Sequence, residues 1–407
     1  MRITAKKFLL LPLMLVLILQ DAIPQSTSSP YSAFGLGYPE ENSLGPSIGM
    51  GGTGIAFLSK GSINLLNTAS YSGIDSLVSV FELGVFGKYT SFKSNNDQQS
   101  QVNANLKYIV MGFRLTPWLS TSFGFAPYSS IGYNISTKAP IEGTNLTYTE
   151  TFEGNGGVNQ AYIGGAVRLI KNLSLGFNAA YLFGEVSHSE SSDYFNYSLK
   201  DVTYLSNFDF NYGLNYQFNI KKWTYNIGLI YSGAKRLGTN NVTTIESLGS
   251  SEVLNKRIYK YSIPQNYGVG ISVSKDFFRV GADYERSSWK DVDISNPLVR
   301  TRDGNRYSAG VEFPSQGIKK GTSRMILYRI GGEYRQSYLI VDNVPLNYRA
   351  ITFGAGIPLK GWLSTINVAV ELGQNGTARN GLIREDFCTL HLDVSLRDTW
   401  FRRRRYE

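Results

Sequence analysis

The sequence predicts an all-β protein: a transmembrane antiparallel β-barrel of about fourteen strands with an N-terminal hatch inside the lumen. Three observations predict it. The chain of 407 residues holds 42 glycines and 13% aromatics but only 17% charged residues, which suits long half-apolar strands rather than a disordered or nucleic-acid-binding chain. Segments of about ten residues alternate apolar and polar with period two. The connections between them alternate between long and short, as in up-and-down barrels of the outer membrane.

The N-terminus comes first. Arg2, Lys6 and Lys7 precede an apolar run over residues 8–19, followed by a polar exit. A helix of that length rises only about 18 Å, short of a ~30 Å membrane core. Residues 1–25 therefore read as a secretory signal peptide, and the expected location is the outer membrane of a Gram-negative cell. Residues 26–76 read as the hatch, 77–401 as the barrel and 402–407 as a basic periplasmic tail.

Strands are expected at 77–93, 101–115, 119–128, 159–170, 173–187, 206–218, 223–232, 265–275, 277–289, 306–313, 326–338, 349–358, 363–373 and 387–397. Phe278, Val280, Ala282 and Tyr284 oppose Arg279, Gly281, Asp283 and Glu285. Leu390, Leu392, Val394 and Leu396 oppose His391, Asp393, Ser395 and Arg397. The apolar set faces lipid, so arginine at Val280 or Leu392 is expected to destabilise, and serine at inward Gly281 to cost much less. Segments 129–158, 188–205 and 233–264 read as external loops and 171–172 and 219–222 as periplasmic turns; the even strand count places both termini on the periplasmic side. Trp118, Trp223, Trp289, Trp362 and Trp400 lie near strand ends and suit interfacial girdles.

In the hatch, Gly49, Gly51, Gly52 and Gly54 superficially suggest a dinucleotide loop, but that motif needs a βαβ unit. A tightly turning segment packed in a narrow space fits better. The apolar residues Ile48, Met50, Ile55 and Phe57, with inward Ile230, either line a ligand pocket or form the hatch core. The run 49–56 (Gly-x-Gly-Gly-x-Gly-x-Ala), followed by Asn67, Thr68 and Ala69 where Asn-Pro-Ala is expected, resembles the start of the long-chain fatty-acid transporter (FadL/TodX-like) outer-membrane proteins, in their compact branch. Pro264, Tyr267, Gly268, Gly270, Asp283, Tyr284 and Trp289 are similar to a hairpin of that family, as are residues 348–359, 371–374, 381–383 and 395–401 to its closing strands. The resemblance implies fourteen strands, a folded-back hatch and lateral release of substrate through a defect in the wall.

Enzymatic groups are sparse. His188 sits with Ser187, Glu190 and Asp193 in an expected solvated loop. His391, beside Asp393 on an inward face, is either a proton or anion binder or a satisfied lumen residue. One cysteine, Cys388, excludes an internal disulfide, and two histidines argue against a Cys/His metal cluster. No enzyme activity, cofactor or metal is expected. Charges of both signs point inward: Arg279, Asp283, Glu285, Arg329, Glu333, Arg335, Glu371, Asp393 and Arg397. They read as a lumen network holding the hatch. The expected partners are outer-membrane lipid and lipopolysaccharide, a hydrophobic small molecule, and a periplasmic or outer-membrane protein, with no nucleic acid. Two functions follow: passive uptake of hydrophobic molecules such as fatty acids, by loop capture, hatch movement and lateral exit, or a non-transporting accessory barrel of outer-membrane assembly or secretion machinery.

Overall fold

The computed structural model describes residues 27–94, 97–247, 250–289, 299–315, 325–359 and 364–399, with the backbone alone at 255–260. The expected signal peptide, the basic tail, Trp362 and Trp400 lie outside the described residues.

Fourteen strands form a closed antiparallel wall. They are β1 (Val78–Lys93), β2 (Gln98–Arg114), β3 (Leu119–Pro140), β4 (Thr147–Ile170), β5 (Leu173–Ser192), β6 (Tyr197–Ile220), β7 (Trp223–Ser232), β8 (Gln265–Lys275), β9 (Phe278–Ser288), β10 (Gly304–Pro314), β11 (Leu327–Val341), β12 (Val344–Pro358), β13 (Thr365–Gly376) and β14 (Arg384–Thr399). β14 pairs back onto β1, from Arg384↔Lys93 to Thr399↔Val78. Closure satisfies backbone groups that lipid cannot hydrogen-bond. Each expected strand has its counterpart. The faces follow the alternation: Val280 is 41% exposed, while Gly281 and Asp283 are buried. Inward positions are polar and buried, among them Ser122, Asn178, Ser272, Glu312 and Thr352.

Tyr212, Tyr231 and Tyr267 stand in register across β6–β8, and Tyr284, Tyr307 and Tyr334 across β9–β11. These outward rings form a tyrosine girdle at one end of the wall; exposed Trp118 and Trp223 mark the other. Tyr231 and Trp223 are eight residues apart on β7, about 20 Å of depth for a tilted strand, close to the height of an apolar band. Trp289 is not in a girdle. It stacks on Tyr338 at 3.7 Å, against a buried cluster with Tyr31, Val299, Leu339 and Leu346.

The long connections are mostly strand rather than loop. β3 to β6 continue past the girdle, and segment 233–264 is a hairpin of Lys235–Ser247 and Ser250–Ile263 whose first strand pairs with β6 from Leu205↔Thr239 to Tyr197↔Ser247. Beyond the girdle water wets both faces, so the hydrophobic period fades while the backbone ladder continues. β11 and β12 join through Asp342 (φ 48) and Asn343 (φ 60), a two-residue turn with both φ positive.

Residues 27–77 precede the wall. They contain 3-10 turns at Pro30–Ala33, Gly45–Met50 and Thr68–Gly73 and a two-residue strand, Tyr38–Pro39. The Ser29 hydroxyl donates to Glu385 at 2.5 Å, at the end where the long connections lie; Asp75 pairs with Arg397 at 2.9 Å, at the short-turn end. The segment thus traverses the barrel. The expectation that both termini share one side holds for the wall, but the described chain begins at the opposite end.

Candidate functional site in the barrel interior

The N-terminal segment lies against glycines of the wall. A Cβ at Gly310 would stand 2.6 Å from Met50 Cβ, one at Gly270 2.8 Å from Ile55 Cβ, and one at Gly281 2.6 Å from the Phe57 ring. Gly176 and Gly213 meet Asn67, Thr68 and Ala69, and Gly228 meets Ile55 and Ala56. Serine at Gly281 therefore meets Phe57, a clash that its inward position alone did not suggest. Within the segment Gly51 (φ 68) and Gly52 (φ 69) take left-handed conformations that side chains disfavour. Gly49 packs on Gly354, and Gly54 on Leu66 and Ser47. Asn67 accepts from Ala69 N at 3.0 Å, capping the last 3-10 turn, and donates to Ile55 O at 2.7 Å and Leu214 O at 3.0 Å. Asn67 thus ties the segment to itself and to β6.

Charges fix the same segment. Asp283 accepts from Gly54 N at 2.6 Å and Ile55 N at 2.9 Å. Arg306 donates to Glu333 at 2.9 Å, to Glu285, and to Gly52 O at 3.1 Å. Arg335 bridges Glu333, at 2.6 Å, and Glu41. Burial pushes the Glu41 carboxyl up, but Arg335 and Arg306, with Lys107, outweigh it and hold its pKa at about 2. Arg329 pairs with Glu312 at 2.7 Å and donates to Asn367 at 2.9 Å; Arg279 lies 4.0 Å from Glu312 and 5.0 Å over the Phe57 ring. Glu371 meets Tyr348 and, at 3.2 Å, His391 Nε2; Asp393 accepts from Tyr108. These charged residues gather in several local clusters. Sequence reasoning missed Arg306 and Glu312, which the period of β10 points inward, and Glu41 and Glu82. Glu82 accepts from Ile63 N at 3.1 Å.

Two cavities stand out among the described residues. The larger, about 310 Å³, is lined by Leu36, Leu66, Tyr128, Tyr162 and Ile230, and also by Glu41, Arg306 and Arg335. The smaller, about 80 Å³, includes Ile48, Lys88, Lys107 and His391 in its lining. Of the apolar candidates, Ile230 lines the larger and Ile48 the smaller, while Met50, Ile55 and Phe57 pack on wall glycines.

The wall itself is interrupted. β2 and β3 pair only from Arg114↔Ser120 to Ile109↔Phe125. Beyond that lies Pro127, which has no N–H, and a register shift between Pro127 and Ser129 bends β3. The N-terminal segment takes up the freed edge. Tyr38 and Pro39 pair with Ser130 and Ser129, Glu40 N donates to Tyr128 O at 3.0 Å, and Gly132 N donates to Ser32 Oγ at 3.1 Å. On the facing edge Asn103 donates to Ser28 at 2.7 Å. An open edge is not viable in lipid, so this stretch seals the wall. His188 lies elsewhere, on β5 beyond the girdle, with Nδ1 2.8 Å from the Tyr133 hydroxyl. Among the described residues no group of three His, Cys, Asp or Glu is placed to hold a metal ion.

A family model described as BamG matches residues 4–407. The chain belongs to the BamG family. No curated protein matches it. Among solved structures, this BamG-family chain is similar to the toluene transporter TodX of Pseudomonas putida (16% identity, 89% of this chain and 100% of that one, TM-score 0.62). It is also similar to the toluene transporter TbuX of Ralstonia pickettii (16%, 88% and 99%, 0.58) and to a FadL homologue of Pseudomonas aeruginosa (11%, 90% and 100%, 0.62). At these identities the likeness is one of fold, which agrees with the expected barrel. The family match is to BamG rather than to the fatty-acid transporters.

Proposed function

We propose that this chain lets hydrophobic small molecules cross the outer membrane passively. The observation that carries the reading is the larger cavity, which lies between the N-terminal segment and the wall and shares Tyr38, Pro39 and Glu40 with the seal of the wall break. A molecule captured at the long-connection end would settle among Leu36, Tyr128, Tyr162 and Ile230. Displacement of residues 28–40 from the β3 edge would open the break between β2 and β3, and the molecule would leave sideways into lipid. In this reading the segment over residues 26–76 acts as the hatch, with Gly51 and Gly52 as its turning points and Asn67 as its anchor. The apolar side chains in the lining of the larger cavity, which also carries Glu41, Glu285, Arg306 and Arg335, and the transporters of similar fold support it. Long-chain fatty acids are one substrate class of suitable chemistry.

The family match favours a second reading, an accessory barrel of outer-membrane assembly machinery. The extensive packing of the segment on wall glycines suits a rigid scaffold. Proteoliposomes separate the two. Uptake of labelled toluene or oleate above that of protein-free vesicles, abolished by a disulfide tying residue 38 to residue 130, supports transport. No uptake, together with stoichiometric co-purification of a second outer-membrane protein, supports the scaffold.

A further inference from the structure

The short-turn end of the barrel carries a group that neither reading uses. β2 ends on Arg114, and Arg168 lies near the end of β4. Arg114 Nη2 donates to Ser72 O at 2.8 Å and Arg168 Nη2 to the same oxygen at 2.6 Å, while Arg114 Nη1 donates to Ser76 Oγ at 3.2 Å. Both side chains therefore turn inward, onto the N-terminal segment. Two guanidiniums that share one carbonyl oxygen stand within two hydrogen-bond lengths of each other and repel. Neither forms an ion pair with a carboxylate among the described residues. Asp75 acts on Arg114, but its carboxylate pairs with Arg397 at 2.9 Å. More cations ring the same mouth. Lys60 lies on the segment next to Gly61, which packs on the Arg397 guanidinium, and Lys171, Lys221 and Lys222 lie on two of the short turns. All four lysines are exposed, with no ion pair among the described residues. Against them this end sets Asp75, Asp276 and Asp398 among the described residues.

We infer that this mouth is a docking surface for an acidic segment of a partner protein, with Arg114 and Arg168 at its centre. A guanidinium carries five N–H donors, and the segment takes two from Arg114 and one from Arg168. The remaining donors are available to carboxylates, which guanidinium binds in pairs of parallel bonds. An anion between the two arginines also offsets a repulsion that one carbonyl dipole leaves standing. The cations are spread over the ends of β2, β4, β6 and β14 and the N-terminal segment. That spread suits carboxylates spaced along a chain better than one small oxyanion. Lipid headgroups fit less well. They surround the wall, where the neighbouring Leu115, Trp118, Leu169 and Ile170 are exposed, whereas the arginines point to Ser72 inside it. The short-turn end is expected to face the periplasm, so the partner would approach from that side. The inference goes beyond both readings above, since an acidic segment can dock whether or not the barrel transports.

The test is fluorescence anisotropy on the full chain in non-ionic detergent at low ionic strength, with labelled decaglutamate as the probe and labelled decaglutamine as its uncharged control. Wild type should bind decaglutamate and not decaglutamine. Arg114→Gln/Arg168→Gln should weaken that binding about tenfold or more, because two charge-assisted contacts are lost. Arg114→Lys/Arg168→Lys should weaken it less, since the charge stays and only the fork is lost. Lys60→Gln/Lys171→Gln, which leaves the bonds to Ser72 in place, should weaken it severalfold. Lys138→Gln/Lys200→Gln removes the same charge from exposed positions at the opposite end and should leave binding unchanged. Heat-modifiable mobility checks that each variant keeps a closed barrel. Soluble dihexanoyl phosphatidylglycerol, added at equal headgroup charge, should not displace the peptide; displacement would assign the cations to lipid and overturn the docking surface. So would an absence of decaglutamate binding, equal binding by wild type and both mouth Gln variants, or an equal loss in Lys138→Gln/Lys200→Gln. None of these outcomes measures uptake, so the docking surface and the transport reading fail separately.

Discussion

Gly310→Val separates the segment from the wall that holds it. Gly310 faces inward on β10, and even a bare Cβ there would stand 2.6 Å from Met50 Cβ and 2.8 Å from Met50 Cα. Carbon atoms rest at about 3.5–4.0 Å, so Met50 must move by about 1 Å, and further for the two methyls of valine. The β10 ladders to β9 and β11 involve backbone groups only and remain intact. Overpacking of this kind costs about 1–3 kcal/mol, borne by the segment because the wall is the stiffer partner. Where local opening precedes cleavage, that cost converts to roughly 5- to 150-fold faster proteolysis. Gly87→Val is the control, since a Cβ at Gly87 meets nothing within 4 Å. Trypsin or chymotrypsin cutting within residues 45–66 should accelerate in Gly310→Val but not in Gly87→Val, while both keep the heat-modifiable mobility of a closed barrel. Equal cleavage rates in the two variants would refute the idea that wall glycines hold the segment.

Further outcomes follow from the same geometry. Val280→Arg and Leu392→Arg should each destabilise the barrel by about 2–4 kcal/mol, measured by urea titration in lipid vesicles, because both side chains face the apolar band. Glu41 has a folded pKa of about 2 against an ordinary 4.5. Its contribution is present above pH 4.5 and lost as pH falls towards 2, so pepsin should cut the segment progressively faster across that window in wild type. Glu41→Gln should be sensitive throughout, with that window flattened. In a Cys388-free background, an impermeant thiol reagent should label cysteine at exposed Asn240 on intact cells and spare cysteine at Lys222; the reverse pattern would invert the orientation.

The wall was legible because lipid on one side and a polar lumen on the other impose a strict period of two, visible from Phe278 to Glu285 and again from Leu390 to Arg397. The inward orientation of Asp283, Glu333 and Arg397 came with that period. Outside the apolar band the constraint disappears, and the strand extensions to Pro140 and Ser192 read as loops. The break beside β3 left no such trace, because Pro127 sits near the end of an apolar stretch and only the missing β2 partners expose it. Nor did the segment's glycines indicate their counterparts. Met50 against Gly310 and Ile55 against Gly270 are contacts across more than 200 residues, set by the curvature of the wall. Glu41 lies in no periodic element, so nothing local marks it as the partner of Arg335.

The traverse of the segment from Ser29 to Asp75 has a consequence for the order of assembly. The seam between β1 and β14 joins residues about 300 positions apart, the most distant pairing in the wall, and such contacts form late. The segment is gripped from several sides, by Arg306, Arg335, Asp283 and the glycines of β5 to β12, and leads directly into β1. Threading some fifty residues through a finished ring would drag Glu41, Tyr71 and Met50 past those groups one at a time. The ring must instead close around a chain already laid across it. The segment then acts as a mandrel: strands wrap onto a partly ordered strip, and the β1–β14 seam zips last. A truncation lacking residues 27–66 would then form its wall more slowly, even where the wall it finally forms is sound.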